Sequence, residues 1–342
     1  MIETLKTLCA LFGPSGCEDE VRSYIRAQAE PYADQIIEDA NGCLLVFKKG
    51  RRTPDKTILL AAHMDEVGVI VKSVTEQGYL KFRFVGGVDR RVVIGKKVFL
   101  GEKRIPGVIG RKPIHLMGKD EFKSIPKLET LYIDIGAESK EEAEKLVSVG
   151  DYGCFDGSCT QLQNGFLRVK AIDDRVGCAI LLETLRRELP VDVWFAFTVQ
   201  EEIGCRGAFG AAFRIKPDIA LIVEGTTAAD APQTKGAQRV CAPGMGPVFP
   251  MLDRGTINDP ELFALLGEIA AEHGIRWQTK TRVAGGTDAR PIQRSNGGCK
   301  VCTVSAAIRY IHSPSSVGYI KDFEDMKVIV DGFLNKMEER YG

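Results

Sequence analysis

Val191-Asp192-Val193-Trp194-Phe195-Ala196-Phe197-Thr198-Val199-Gln200-Glu201-Glu202 is a mainly apolar run that stops on two adjacent acids. The apolar part predicts a strand over Val191–Val199, buried on both faces as in a parallel sheet. Ionised carboxylates beside a core strand need partners, because desolvating a charge costs roughly several kcal/mol. A metal ion is the obvious partner. Other polar residues share this habit of following an apolar strand or opening a helix. His63 follows Thr57–Ala62, Asp173 precedes the predicted helix Arg175–Glu188, Glu224 follows Ile219–Val223, and His312 follows the strand reaching Tyr310-Ile311. Nitrogen and oxygen donors at successive strand ends suit the carboxyl edge of an open α/β sheet, where ligands bind.

The spacing assigns roles within this set. His63 and Asp65 are two residues apart, which in extended backbone puts both side chains on one side. Asp65 is then placed to accept the second ring proton of His63 and hold its tautomer. Of Asp173-Asp174, one suffices to cap the helix that follows, leaving the other free; a carboxylate, unlike an imidazole, can bridge two cations. Glu201 and Glu202 are adjacent, so their side chains diverge, one toward metal and the other free to handle a proton. Together these donors exceed what one tetrahedral site requires, and they predict a hydrolytic centre with two divalent metal ions. The Gly285-Gly286-Thr287-Asp288-Ala289 loop reads either as a substrate or subunit contact or as a glycine turn with a capping Asp.

Long helices alternate with buried strands from Asp173 onward, through Val191–Val199, Ile219–Val223, Pro260–His273 and Phe323–Arg340, which predicts an α/β sheet covered by helices. Between Gly68 and Gly165 the texture changes to short β-prone pieces (Val69–Val74, Tyr79–Val85, Lys97–Leu100, Val108–Gly110, Leu131–Ile135) punctuated by Gly and Pro, with one helical stretch, Ser139–Val147. That pattern suits a small β-barrel or sandwich. The expected organisation is therefore an α/β domain of residues 1–67 plus 165–342, interrupted by a β domain of residues 68–164. Near the N-terminus, Ser15 and Glu18 have capping-box spacing ahead of a helix through Val21, Ile25 and Ala29.

Lys plus Arg equals Asp plus Glu at 46 each among 342 residues, so no global field draws the chain to nucleic acid or an anionic membrane. No apolar run approaches the ~20 residues of a membrane helix. Met1-Ile2-Glu3-Thr4-Leu5-Lys6 has neither the basic start nor the apolar middle of a signal peptide, which points to the cytoplasm and to reduced thiols. Cys299 and Cys302, spaced like half a zinc ribbon, have no second pair and read as strand residues.

The motifs Ala61-Ala62-His63-Met64-Asp65-Glu66-Val67-Gly68, Ala171-Ile172-Asp173-Asp174-Arg175, Gln200-Glu201-Glu202-Ile203-Gly204 and Tyr310-Ile311-His312-Ser313-Pro314 resemble those of the tetrahedral (TET-type) metalloaminopeptidases. Leu11–Gly16, Gly107–Gly110 with Lys112-Pro113, and Gly285–Ala289 extend the resemblance over nearly the whole chain. It implies a zinc-peptidase-like α/β domain with an inserted PDZ-like barrel used for dimerisation, and dimers assembling into a dodecamer. It also implies two metal ions, zinc or cobalt, one held by His63, Asp173 and Glu224 and the other by Asp173, Glu202 and His312. Asp173 would bridge, Glu201 would be the general base, Asp65 would support His63, and the substrates would be peptides with a free N-terminus. One departure is Glu224, where many members have aspartate; the extra methylene bears on carboxylate placement and metal preference. Rival classes are an endoglucanase-type glycoside hydrolase, which leaves both histidines without purpose, a metal-dependent deacylase or carboxypeptidase, and a non-catalytic assembly protein.

Overall fold

A computed structural model describes residues 1–342. The chain opens with helices α1 (Ile2–Ala10) and α2 (Asp19–Ala29), then strands β1 (Gln35–Glu38), β2 (Leu44–Lys48) and β3 (Ile58–His63). Strands β4 (Gly68–Val74), β5 (Leu80–Val85), β6 (Lys97–Leu100), β7 (Ile105–Gly110), β8 (Tyr132–Asp134) and β9 (Tyr152–Phe155) follow, with short helices α3 (Lys119–Lys123) and α4 (Lys140–Leu146) between them. The remainder runs β10 (Thr160–Gln161), β11 (Phe166–Val169), α5 (Ile172–Leu185), β12 (Val193–Thr198), α6 (Arg206–Ile215) and β13 (Ile219–Thr227). It ends with α7 (Pro260–Glu272), α8 (Ala289–Gln293), β14 (Lys300–Ile308), β15 (Ser316–Tyr319) and α9 (Ile320–Tyr341).

The main sheet has six strands in the order β1-β2-β12-β3-β13-β14. Strands β12, β3, β13 and β14 are mutually parallel, so their carboxyl ends share one edge, while β2 lies antiparallel to β12. Burial explains why the parallel strands read as continuous apolar runs: every residue of β3 is buried, as are those of β13 up to Thr226. Helix α5 packs across β3 and β13, α6 against β12, and α7 and α9 against β14. These elements enclose a core of 62 buried residues. Strands β10, β11 and β15 form a three-stranded sheet beside it. The β-prone insert closes into a barrel in the order β4-β5-β8-β7-β6-β9, with β9 pairing back onto β4 around a separate core of 14 buried residues. No helix is long and apolar enough to cross a membrane.

Several sequence expectations shift. Strand β13 continues to Thr227 because its parallel ladder with β14 continues, pairing Glu224 with Ser305 and Thr227 with Ile308. Glu224 therefore sits inside a strand rather than past its end. Strand β14 stops at Ile308; Arg309 pairs back onto Val317, and His312 lies in the turn between β14 and β15. The insert carries α3 as well as the expected α4, whose Ser139 cap accepts from the Glu142 amide. Helix α6 was not expected from the apolar pattern. The capping box does not form: Ser15 gives its hydroxyl to Asp65, and Glu18 accepts from the Gly16 and Gln200 amides. The Ser15 hydroxyl donates to a tertiary carboxylate instead of accepting from a local amide.

Candidate metal centre

At the shared carboxyl edge the parallel strands bring His63, Glu224 and the Glu201-Glu202 pair together, and the β14–β15 turn adds His312. Asp173 enters from the start of α5. That helix opens irregularly, with Ala171 left-handed and Asp173 and Asp174 in non-helical backbone joined by a cis peptide bond, so regular helix begins only after them.

The carboxylate of Asp173 lies between the two imidazoles. His63 Nε2 is 3.5 Å from Asp173 Oδ1 and 3.2 Å from Glu224 Oε1. His312 Nε2 is 3.4 Å from Asp173 Oδ2 and 3.1 Å from Glu202 Oε2. Donors about 2.0–2.1 Å from a tetrahedral ion stand about 3.4 Å from one another, so these separations suit the edges of coordination polyhedra. Asp173 Oδ1 is buried without a hydrogen-bond partner. A Cβ at Gly225 would stand 2.5 Å from that same oxygen, so only glycine leaves the carboxylate its room. The extra methylene of Glu224 does not carry its carboxylate away, since Oε1 stays beside His63 and accepts from the Gly225 amide at 3.2 Å.

Electrostatics point the same way. Burial pushes the carboxyls of Glu201 and Glu224 well above the usual range and that of Glu202 to about 8, with neighbouring carboxylates adding to the effect. His312, only partly buried, is drawn up to about 9 by Asp173 and Glu202. Asp173 is held low against burial by His312 and His63. A buried pocket so rich in carboxylate is held together by positive charge, and divalent cations are the donor set's natural complement. The residues fit such ions.

The surrounding contacts position these groups. His63 Nδ1 is 3.1 Å from the Asp65 carbonyl oxygen and 3.4 Å from Asp65 Oδ1. The Asp65 carboxylate is shared: it accepts from Ser15 Oγ at 2.5 Å and from the amides of Glu201 and Glu202 at 3.0 and 3.1 Å. It thus ties the loop after β12 to the end of β3. Glu201 and Glu202 diverge, the first meeting Cys205 Sγ at 3.2 Å and the second His312. Asp174, the aspartate left as the helix cap, is fully buried; its Oδ1 makes the capping bond from the Gly177 amide at 3.0 Å and its Oδ2 accepts from the His63 amide at 3.2 Å. Behind the centre, Glu66 Oε1 meets Lys170 Nζ at 2.5 Å and Arg175 Nη2 at 3.2 Å, all three side chains buried. Asp288 of the glycine loop is buried as well and accepts from Thr198 Oγ1 at 2.5 Å. The Glu66 network escaped the sequence reading, although the adjacent acids Asp65-Glu66 after a strand were an available signal, and Asp288, read there as part of a contact loop or as a cap, makes no capping bond.

A family model described as M42 glutamyl aminopeptidase matches residues 42–329. An aminopeptidase-named protein of Acetivibrio thermocellus is 39% identical over 334 residues, covering 97% of this chain and 98% of its own. The solved TET aminopeptidase of a marine-sediment Thaumarchaeota archaeon superposes with a TM-score of 0.93 at 36% identity, over 99% of this chain and 98% of that one. Pyrococcus horikoshii TET1 peptidase, described as assembling into a tetrahedron or a large octahedral shell, gives a TM-score of 0.86 at 34% identity over 97% and 98% of the two chains.

Proposed function

The chain belongs to the M42 glutamyl aminopeptidase family, and from that footing we propose that it removes the first residue of peptides with a free α-amine, using two divalent cations, zinc or cobalt. The observation behind this reading is the Asp173 carboxylate, which faces His63 with one oxygen and His312 with the other. His63, Asp173 and Glu224 would hold one ion; Asp173, Glu202 and His312 would hold the second. Bound there, the ions would lower the pKa of a water and polarise the scissile carbonyl. Glu201 accepts the water's proton and delivers it to the departing amine. Asp65 keeps Glu201 and Glu202 in place through their amides.

In the same reading, residues 1–67 with 165–342 form the catalytic unit, and residues 68–164 form an inserted, PDZ-like unit through which copies associate, as dimers building a dodecamer. Exposed Ile114, Leu116, Phe122 and Ile125, on the connection between β7 and β8, supply apolar surface for that contact. The cytoplasm is the compartment we assign, where the ten free thiols stay reduced.

The test combines chelation with substrate choice. Removing metal should abolish hydrolysis of free-amine aminoacyl substrates, and added zinc or cobalt should restore it. Cleavage of Nα-blocked peptides at equal rate would move the assignment to a deacylase or carboxypeptidase. Glucan hydrolysis that survives chelation would move it to a glycosidase.

A further inference from the structure

The geometry points to a third cation site, inhibitory and selective for thiophilic ions such as zinc or cadmium, formed by Glu201, Cys205 and Asp288. The inhibition rests on the proposed role of Glu201 as base; the site itself does not. Ligand atoms of these three side chains lie within 4.8 Å of one another. Cys205 Sγ is 3.2 Å from Glu201 Oε1. With Zn–S near 2.3 Å and Zn–O near 2.0–2.2 Å, a tetrahedral ion sets sulfur and oxygen about 3.6 Å apart, so the Cys205–Glu201 pair needs little movement and Asp288 closes the set from within 4.8 Å.

A second observation singles the cluster out. Asp288 is 1% exposed, and while its Oδ2 takes the Thr198 hydroxyl, its Oδ1 is buried with no hydrogen-bond partner. A carboxylate oxygen of Asp288 lies within 4.8 Å of Cys205 Sγ. A buried carboxylate oxygen without a donor is costly, and a cation there would relieve it. Three protein donors leave a fourth position for water, a common zinc arrangement.

A cavity of about 570 Å³, lined by Gly204, Cys205, Arg206, Phe209, Arg290 and Arg294 among others, reaches Cys205 from between α6 and α8. Its arginines oppose a free cation, so occupancy depends on the sulfur–metal bond: zinc and cadmium bind, whereas magnesium and manganese, which prefer oxygen, do not. Binding exchanges the Cys205 thiol proton for the ion and releases that proton to solvent. It also occupies Glu201, which then cannot accept a proton from water.

Metal-stripped protein titrated with zinc should bind three ions per chain, and the Cys205→Ala variant two. With cobalt(II), the last equivalent should bring a thiolate-to-metal charge-transfer absorption that is absent in Cys205→Ala and retained in Cys159→Ser, which removes the exposed thiol. Zinc beyond two equivalents should lower turnover at least tenfold in the native chain and leave Cys205→Ala at its own two-equivalent rate; excess magnesium should do neither. Equal numbers of bound zinc ions in the native chain and in Cys205→Ala overturn the site, whatever the paired centre holds and whatever Glu201 does. The base assignment stands or falls separately, on the turnover of Glu201→Gln.

Discussion

The six-stranded body and the closed barrel solve opposite problems. The body buries charge: His63, Asp65, Glu66, Lys170, Asp173, Asp174, Arg175, Glu224 and Asp288 all lie within or under its sheet edge. The barrel buries none; no polar side chain between residues 68 and 155 is buried, and its 14-residue core is wholly apolar. Apolar side chains reach its surface, among them Val108, Ile114, Leu116, Phe122, Ile125 and Val149, as Phe209, Phe213 and Ile257 do on the body. A 62-residue core can carry the desolvation cost of a polar centre, since each fully buried large apolar side chain contributes about 1.5–3 kcal/mol. A small barrel cannot. Buried charge therefore sits where apolar burial is plentiful.

Substitutions can break or sharpen that contrast. The largest effect is expected from Asp173→Ala, which removes the carboxylate between both imidazoles: metal analysis of the purified variant should find both ions lost and turnover at background. Retention of either ion at native affinity would remove the bridging role. Glu201→Gln should keep metal content and lower turnover by about 10³–10⁴-fold, the range of general acid–base catalysis; near-native turnover would refute its role as base. Next comes Glu66→Gln, which strips the countercharge from buried Lys170 and Arg175. Denaturant unfolding should show a loss of about 3–5 kcal/mol, as for other broken buried ion pairs, and a surface-like loss below 1 kcal/mol would contradict the burial. Ile133→Ala, in the barrel core, should cost about 2–5 kcal/mol with metal bound per folded chain unchanged. Altered metal content in that variant would mean the two regions are not separable in the way described.

The same contrast shows what reads directly from sequence. Continuous apolar runs such as Ile58–Ala62 and Ile219–Val223 announce strands covered on both faces, and acids or histidines directly beyond them stand out because a charge there is costly. Boundaries were less legible. The β13 ladder runs on to Thr227 and the β14–β15 turn begins early, because strand ends are decided by partners on neighbouring strands. Ser15 and Glu18 carry a local capping signal that the fold overrides with Asp65 and the Gln200 amide. Asp174 looks like a cap in sequence and is one, its Oδ1 accepting from the Gly177 amide, whereas Asp288, which carries the same signal, makes no capping bond and accepts from the Thr198 hydroxyl instead.

Local pattern alone established an alternating α/β chain with a β insert and picked out His63, Asp65, Asp173, Glu201, Glu202, Glu224 and His312 as the polar residues out of keeping with their apolar surroundings. Those readings depend on periodicity and on the cost of charge near apolar strands, both written residue by residue. Tertiary structure decided which oxygen of Asp173 faces which histidine, that Ser15 and the loop amides converge on Asp65, and that Asp288 is sealed beside Cys205 and Glu201. Those facts rest on distances between segments far apart in the chain, which parallel strand pairing sets and sequence spacing does not encode.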